Sequence, residues 1–251
     1  MVITKKQKQF KEMNRSRTVV NYLNIAAKMV VYNLKIIFAN KFIWFMLGAI
    51  GFYIGLTLIY VFSEDISRVE HLFGIFVFCG LLLIFYPTVF GIQNDQDART
   101  IEILFGIPNY RYKVWLVRMV LIYLITFVIL MGFVWLSSVL IIKLPVIPMT
   151  YHVLYPVFFL GVMSFMLSTL VRNGNGTAVL MIIFSMFFLI LQEPLEYNKW
   201  NVFLNPFSQP DNISESAWSV TVLNNRIILL VATLVFLLGG LFNLQNREKF
   251  I

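Results

Sequence analysis

The sequence predicts an all-α, polytopic membrane protein, and three observations lead to that class. Of its 251 residues, 59% are hydrophobic and only 13% are charged, whereas a soluble domain carries about 25% charged residues. Six apolar segments are long enough, or nearly long enough, to cross a bilayer as helices. Lys and Arg are concentrated on one side of those segments. We therefore expect six transmembrane helices preceded by an amphipathic interfacial helix, with both termini cytoplasmic.

Residues 1–41 are predicted to form a cytoplasmic basic N-terminus and the amphipathic helix. Asn21, Asn24, Lys28 and Lys35 form one polar stripe on an otherwise apolar helical stretch. A continuous polar stripe suits a helix that lies in the plane of the membrane interface. A cytosolic amphipathic helix packed on protein is the alternative.

The six-span domain occupies the rest of the chain, residues 42–251. The fifth and sixth spans, about 15 or 16 residues long, are shorter than the roughly 20 residues that a spanning helix needs. We place the spans at Phe42–Phe62, Leu72–Ile92, Leu116–Ile142, Tyr151–Val171, Thr177–Leu191 and Ile227–Phe242.

The positive charges predict the orientation of these spans. With the termini inside, 16 of the 20 Lys and Arg residues fall on the cytoplasmic side, and the other four are Arg68, Lys143, Lys199 and Arg226. Such asymmetry is the positive-inside signature. It also accounts for the net charge of +8 without nucleic acid, because cationic flanks lie against anionic headgroups.

The segment Gln192–Asn225 is the one long connection on the outer side. It contains three prolines and two tryptophans. Proline interrupts regular structure and tryptophan favours the headgroup level. We expect a short hairpin or re-entrant element here that caps the outer leaflet.

Several function classes are excluded by what the sequence lacks. No phosphate-binding GxxxxGK[ST] loop is present, so the chain is not expected to hydrolyse ATP. The stretch RNGNG at 172–176 joins two spans and is interpreted as a turn. His71 and His152 lie at outer membrane edges without ligand-spaced neighbours, and Cys79 lies in an apolar run. We predict no catalytic residue and no metal site in this chain.

The predicted spans carry no ionisable residue at hydrocarbon depth, which argues against ion-coupled transport. Hydroxyl groups do occur, and Ser164, Ser168 and Thr169 cluster on the fourth span. Hydrogen bonding between helices is the favoured interpretation of these residues. A candidate substrate path along them is the alternative.

The charged stretch between the second and third spans, residues 93–115, is the most unusual part of the sequence. Its acidic residues lie near the start of a predicted helix, where they complement the helix dipole. Gly106 ends that helix and Pro108 begins the next one. Arg111 and Arg118 are expected two turns apart on one face at the membrane surface. The stretch is a charged cytosolic elbow with an apolar stripe, which is typical of a protein contact.

This stretch resembles the first cytoplasmic loop of ABC-2-type permeases, the membrane subunits of bacterial ABC exporters. The family pattern is E-x-x-T-x-E-x-L-x-x-x-P-x-x-R-x(6)-K. This sequence departs from it by an Asp for the first Glu, an Arg for the final Lys and Arg99 where Gly usually precedes Thr. The matching positions are Asp97, Thr100, Glu102, Leu104, Pro108, Arg111 and Arg118.

The resemblance implies a permease subunit of the bacterial cytoplasmic (inner) membrane, with a coupling helix that docks on a separate ATPase. Two ATPase subunits would bind ATP and Mg and drive a pair of permease subunits, identical or paralogous. Asp97 and Glu102 would pair with the ATPase or hold the elbow through Arg111. The uncharged spans favour an amphipathic or lipidic cargo, such as a drug, peptide or glycolipid.

Two other classes stay open from the sequence. A membrane-embedded lipid-modifying enzyme would need a carboxylate cluster at the membrane surface, and Asp95, Asp97 and Glu102 are the only candidates. A membrane anchor in an ABC-like assembly without transport is the second alternative.

Overall fold

The computed structural model describes residues 42–62, 69–97 and 111–245 of the chain. Most of these residues are helical, and six of their helical stretches are long and apolar enough to cross a membrane, as predicted. The helices are α1 Phe42–Phe62, α2 Val69–Val89, α3 Gly91–Asp97, α4 Val117–Leu140, α5 Val146–Val171, α6 Gly174–Gln192 and α7 Glu215–Asn243, and a π-helical segment, Arg111–Leu116, precedes α4.

The predicted span bounds agree with the structure only for the first span. The second and third differ by up to three residues, the fourth begins at Val146 rather than Tyr151, and the fifth and sixth were predicted too short. The fifth span is α6, with 19 residues, because Asn173 caps it and its first turn includes glycines that the apolar criterion left out. The sixth span begins at Glu215 rather than Ile227. The Ser214 side chain accepts a hydrogen bond from the backbone N–H of Ala217 at this end, which makes Ser214 the N-cap.

The outer segment is consequently shorter than the predicted Gln192–Asn225 hairpin. Residues 193–213 form successive turns, and the remainder of the segment is the first part of α7. Asparagine side chains stabilise the turns: the Asn201 and Asn205 carbonyl oxygens accept from the backbone N–H of Phe203 and Phe207 at 2.9 and 3.0 Å. We call residues 193–213 the turn segment.

Helix α5 lies at the centre of the bundle and packs against α2, α4, α6 and α7. Its Gly161 allows the close approach, since a Cβ there would lie within 2.6 Å of Ile84 and closer still to the Tyr123 hydroxyl. Small residues at such contacts let transmembrane helices approach each other closely. Helix α1 is attached at the edge through the Tyr53 hydroxyl, which donates to the Phe133 carbonyl at 3.1 Å.

Short connections make neighbouring helices run in opposite directions, so the bundle has two polar ends. The end of α3, the beginning of α4 and the α5–α6 turn lie at one end, which we call the Asp95 end. The beginnings of α2, α5 and α7 lie at the other end with the turn segment, and we call it the Arg226 end.

Candidate functional site

The Asp95 end contains a buried ion pair that joins the two helices flanking residues 98–110. Asp95 is in the last turn of α3 and Arg118 is in the first turn of α4. One guanidinium nitrogen of Arg118 lies 2.9 Å from the Asp95 carboxylate, and the two side chains are only 6% and 5% exposed. It is the one ion pair found among the described residues.

An aromatic ring holds the arginine from the other side. The guanidinium carbon of Arg118 is 4.7 Å from the centre of the Trp115 ring, which is within the range of a cation–π contact. That ring is 6.0 Å from the ring of Phe165 on α5. The ion pair is therefore seated against the central helix.

A buried ion pair of this kind fixes the relative position of two helices more than it adds to the stability of the fold. A buried salt bridge costs desolvation that its attraction only partly offsets, yet removal of one partner costs about 3–5 kcal/mol. Within the described part of the chain, the Arg118 Nε and its second terminal nitrogen have no hydrogen-bond acceptor. The pair thus fixes how α3 and α4 meet and contributes little to net stability.

Helix α3 is also tied to the beginning of α6. The Gln93 side-chain oxygen accepts from the backbone N–H of Gly174 at 2.5 Å. Only glycine fits there, because a Cβ would lie within 2.7 Å of the Phe90 ring and of the Gln93 oxygen. A second link at the same end runs from the Asn243 amide to the Thr169 carbonyl. Four helices are therefore connected around the attachment of the charged stretch.

The structure describes three of the seven residues of the family pattern. Asp97 is the exposed last residue of α3, and the backbone of Arg111 begins the π-helical segment. Thr100, Glu102, Leu104 and Pro108 lie outside the described residues. Arg118 is 4% exposed and contacts Asp95, so it lies in helix contacts within the protein. Its position at the level of the membrane surface stays a prediction.

Sequence reasoning missed the partnership of Asp95 with Arg118, although a signal for it was present. Arg118 fell inside the third predicted span, Leu116–Ile142, and an ionisable residue in a span needs a partner. Asp95 was the first carboxylate after the second predicted span, three residues past its end.

The hydroxyl cluster on α5 is buried in helix contacts. Ser164 accepts from the Thr88 hydroxyl at 3.1 Å, and Ser168 donates to the Val89 carbonyl at 3.0 Å. Thr169 donates to the Met166 carbonyl within its own helix at 2.6 Å. Each of the three cluster residues is at most 2% exposed. Their hydrogen bonds serve the packing of α5 on α2 and the local geometry of α5.

The turn interpretation of residues 172–176 holds for Arg172 and Asn173, whereas Gly174, Asn175 and Gly176 form the first turn of α6. Arg172 ends α5 in the left-handed conformation, with φ of 58°, and Asn173 caps α6 by accepting from the backbone N–H of Gly176 at 3.0 Å. The α5–α6 connection is thus a tight turn without a phosphate-binding loop.

The Arg226 end contains a second buried arginine, which the sequence analysis counted among the outer charges. Its three donor groups contact the His152 Nδ1 at 3.3 Å, the Asn225 side-chain oxygen at 2.9 Å and the Leu204 carbonyl at 3.0 Å. The guanidinium also lies 5.2 Å from the centre of the Tyr155 ring. His152 is therefore a hydrogen-bond acceptor, and Arg226 connects α7 to α5 and to the turn segment.

Comparisons with models of protein families, with curated protein sequences and with solved structures find no match to this chain. Among the described residues no cluster of three or more His, Cys, Asp or Glu has the geometry to hold a metal ion.

Proposed function

We propose that the chain is the membrane-spanning permease subunit of an ATP-driven exporter, in which residues 93–115 dock on a separate ATPase subunit. The buried Asp95–Arg118 pair carries the proposal. It joins α3, which leads into the charged stretch, to α4, which follows it. A force applied to the stretch would therefore move both helices together.

The transmission step follows from the connections of α3. ATP binding and hydrolysis would occur on two ATPase subunits, which bind ATP with Mg. Their closure would displace the docked stretch, and through Asp95 and Gln93 the displacement would reach α4 and α6. A pair of permease subunits, identical or paralogous, would enclose an amphipathic or lipidic cargo in the bacterial cytoplasmic membrane. The positive-inside charge distribution supports a cytosolic location for the stretch.

The buried pair also bears on the enzyme alternative. A surface carboxylate cluster would need an accessible Asp95 to act as an acid or base. In the structure Asp95 is 4% exposed and its carboxylate contacts Arg118. This arrangement favours a structural role for Asp95 over a catalytic one.

Co-purification tests the proposed class. The tagged chain is expressed with the ATPases encoded beside it, and the detergent-solubilised complex is assayed for subunit ratio and ATP turnover. The proposal expects a stable complex with equal numbers of permease and ATPase subunits. A chain that purifies alone and changes no ATPase activity would overturn the proposal.

Exchange of Asp97 and Glu102 for Ala tests the docking role within that complex. We expect ATP-dependent transport to fall by about tenfold or more, since two charged contacts of about 1 kcal/mol each would be lost. Membrane insertion should be unchanged. Glu193→Ala, an exposed carboxylate at the opposite end, is the matched control. Unchanged transport in the double variant would remove both residues from the docking surface.

A further inference from the structure

A long cleft between α2 and α6 opens at the Arg226 end and is separate from the Asp95–Arg118 ion pair. Its volume is about 500 Å³, inside the range of about 300–1,000 Å³ that is usual for ligand sites. Along α2 the lining runs from Glu70 to Phe85, a distance of about 22 Å at 1.5 Å per residue. The cleft therefore reaches through much of a hydrocarbon core that is about 30 Å thick.

The deep part of the cleft is apolar. Phe78 and Leu82 of α2 face Ile182 and Leu189 of α6, and the side chains of Phe78, Ile182 and Leu189 are each about half exposed. A surface of this composition at membrane depth binds hydrocarbon. The walls alone do not distinguish one hydrocarbon chain from another, so the polar end decides the class of occupant.

The polar end of the cleft is acidic. It continues into a smaller hollow of about 250 Å³ whose lining includes Glu70, His71, Glu196 and Tyr197, and His71 lines both parts. No Lys or Arg is among the described residues that line either part. A hydrogen bond to the Glu196 carboxylate raises the pKa of Tyr197, and the charges of Glu196, Glu70 and Asp211 raise it further. The carboxylates of Glu70, Glu196 and Asp211 therefore all contribute negative potential at Tyr197.

The polar end of the cleft lies where the turn segment contacts the beginning of α2. The Asn205 side-chain amide donates to the Glu70 carbonyl at 2.8 Å, and Asn205 lines both parts of the cleft. One helical turn below Glu70 lies Gly74, where an added Cβ would meet nothing within 4 Å. The absence of a side chain at Gly74 leaves the passage from the acidic end to the apolar part open.

We propose that this cleft binds an amphiphile with one hydrocarbon chain and a cationic headgroup. The hydrocarbon chain lies between α2 and α6, and the cation lies between the Glu70 and Glu196 carboxylates. Charge complementarity selects this occupant over anionic lipids, which two carboxylates would repel. The inference concerns binding by the chain alone, so it holds or fails independently of the proposed transport function.

Binding of tritiated tetradecyltrimethylammonium to the full chain in phosphatidylcholine nanodiscs tests the proposal, with empty nanodiscs subtracted. Tetradecyl sulfate, which has the same hydrocarbon chain, is the competitor. We expect saturable binding near one per chain and competition by the sulfate at least about tenfold weaker than by the unlabelled cation, since the charge reversal replaces two attractions by two repulsions. Equal competition by the two amphiphiles would overturn the cationic class.

Matched variants locate the binding. Gly74→Leu should abolish saturable binding by filling the passage, whereas Gly132→Leu should bind like the unmodified chain, because Gly132 on α4 also has open space around it and lies outside the cleft. Glu70→Gln and Glu196→Gln should each weaken binding by roughly two- to fivefold, and Glu193→Gln should not. Unchanged binding in Gly74→Leu would overturn the site.

Two further outcomes would assign the cleft to another occupant and reject the proposal. Saturable binding that is absent from single chains in nanodiscs, together with a Gly74→Leu change that shifts the oligomeric state in detergent, would assign the cleft to a second copy of this chain. Co-purified phosphatidylcholine or anionic lipid that the cation does not displace would assign it to the bilayer.

Discussion

Among the described residues, each end of the bundle buries one arginine side chain, and the two ends satisfy its hydrogen-bond donors in different ways. Arg118 has a carboxylate partner and an indole ring but leaves two nitrogens without an acceptor in the described structure. Arg226 has no carboxylate partner in the described ranges, and each of its three nitrogens instead donates one hydrogen bond, to an imidazole, an amide and a carbonyl.

The two arginines therefore have different structural roles. The Arg118 contact joins α3 to α4, and the Arg226 contacts hold the turn segment against α7 and α5. The Asp95 carboxylate balances the charge of Arg118, so this contact joins α3 to α4 and fixes how they meet. Satisfaction of a cation by dipoles requires several groups in a set geometry, so Arg226 organises the turn segment around itself. The Asp95 end is therefore suited to transmit displacement, and the Arg226 end is suited to hold a fixed shape.

The largest expected effect is the loss of the carboxylate at the Asp95 end. Asp95→Ala leaves Arg118 buried without a counter-charge and should lower the free energy of unfolding by about 3–5 kcal/mol. Denaturant titration in detergent micelles measures this change. Asp97→Ala, two residues away and exposed, should stay within about 0.5 kcal/mol of the unmodified chain.

A double variant sharpens this test. Asp95→Leu combined with Arg118→Met removes both charges and should recover most of the lost stability, since apolar replacement of a buried pair is often neutral. Equal stability of Asp95→Ala and Asp97→Ala would mean that the pair does not join α3 to α4 as described here.

The next largest effect is expected at Arg226. Arg226→Met leaves the Leu204 carbonyl and the Asn225 amide without their donors and should cost about 2–3 kcal/mol. Limited proteolysis should then cut the turn segment faster. Arg226→Lys should recover only part of the loss, because an ammonium cannot reproduce three divergent donors. Full recovery by Lys would show that charge alone matters at this end.

A smaller effect tests the imidazole as an acceptor. His152→Phe removes the acceptor of the Arg226 Nε and should cost about 1–2 kcal/mol, whereas His152→Gln offers a carbonyl oxygen in its place and should cost less. His71→Phe, at an exposed histidine of the same end, is the control for loss of an imidazole. Similar losses in His152→Phe and His71→Phe would contradict the acceptor role.

The smallest effect concerns the middle of the bundle, between the two ends. A double-mutant cycle with Thr88→Val and Ser164→Ala should give a coupling free energy near the average of about 0.6 kcal/mol for hydrogen bonds between membrane helices. Transport by an assembled complex should be unaffected. A change in cargo preference without a change in stability would instead favour the candidate substrate path along α5.

The sequence was informative where one physical property dominates a segment. Apolar length predicted six spans, and α1 agrees with its predicted bounds, Phe42–Phe62. Helix α7 was predicted too short because Asn225 and Arg226 are polar. Their hydrogen bonds to the Lys199, Asn201 and Leu204 carbonyls allow both side chains to be buried within the helix.

The Asp95–Arg118 contact and the cleft likewise could not be predicted from the sequence, because both depend on tertiary contacts. Spacing along the chain located the charged stretch but could not show that Asp95 meets Arg118, because that contact depends on how α3 returns to α4 across residues 98–110. The cleft was not foreseen either. Glu70, Gly74 and Glu196 are ordinary residues in the sequence, and they form one site only after the turn segment folds back on α2.

The most direct test of the central claim is a photo-crosslink from the charged stretch to the ATPase. Thr100→Cys is labelled with benzophenone-4-maleimide in inside-out vesicles, in a chain whose only native cysteine, Cys79, is buried. The account predicts a permease–ATPase adduct with Thr100→Cys and none with Ser208→Cys at the Arg226 end. Labelling of Thr100→Cys without any such adduct, in membranes that contain the ATPase, would contradict the account.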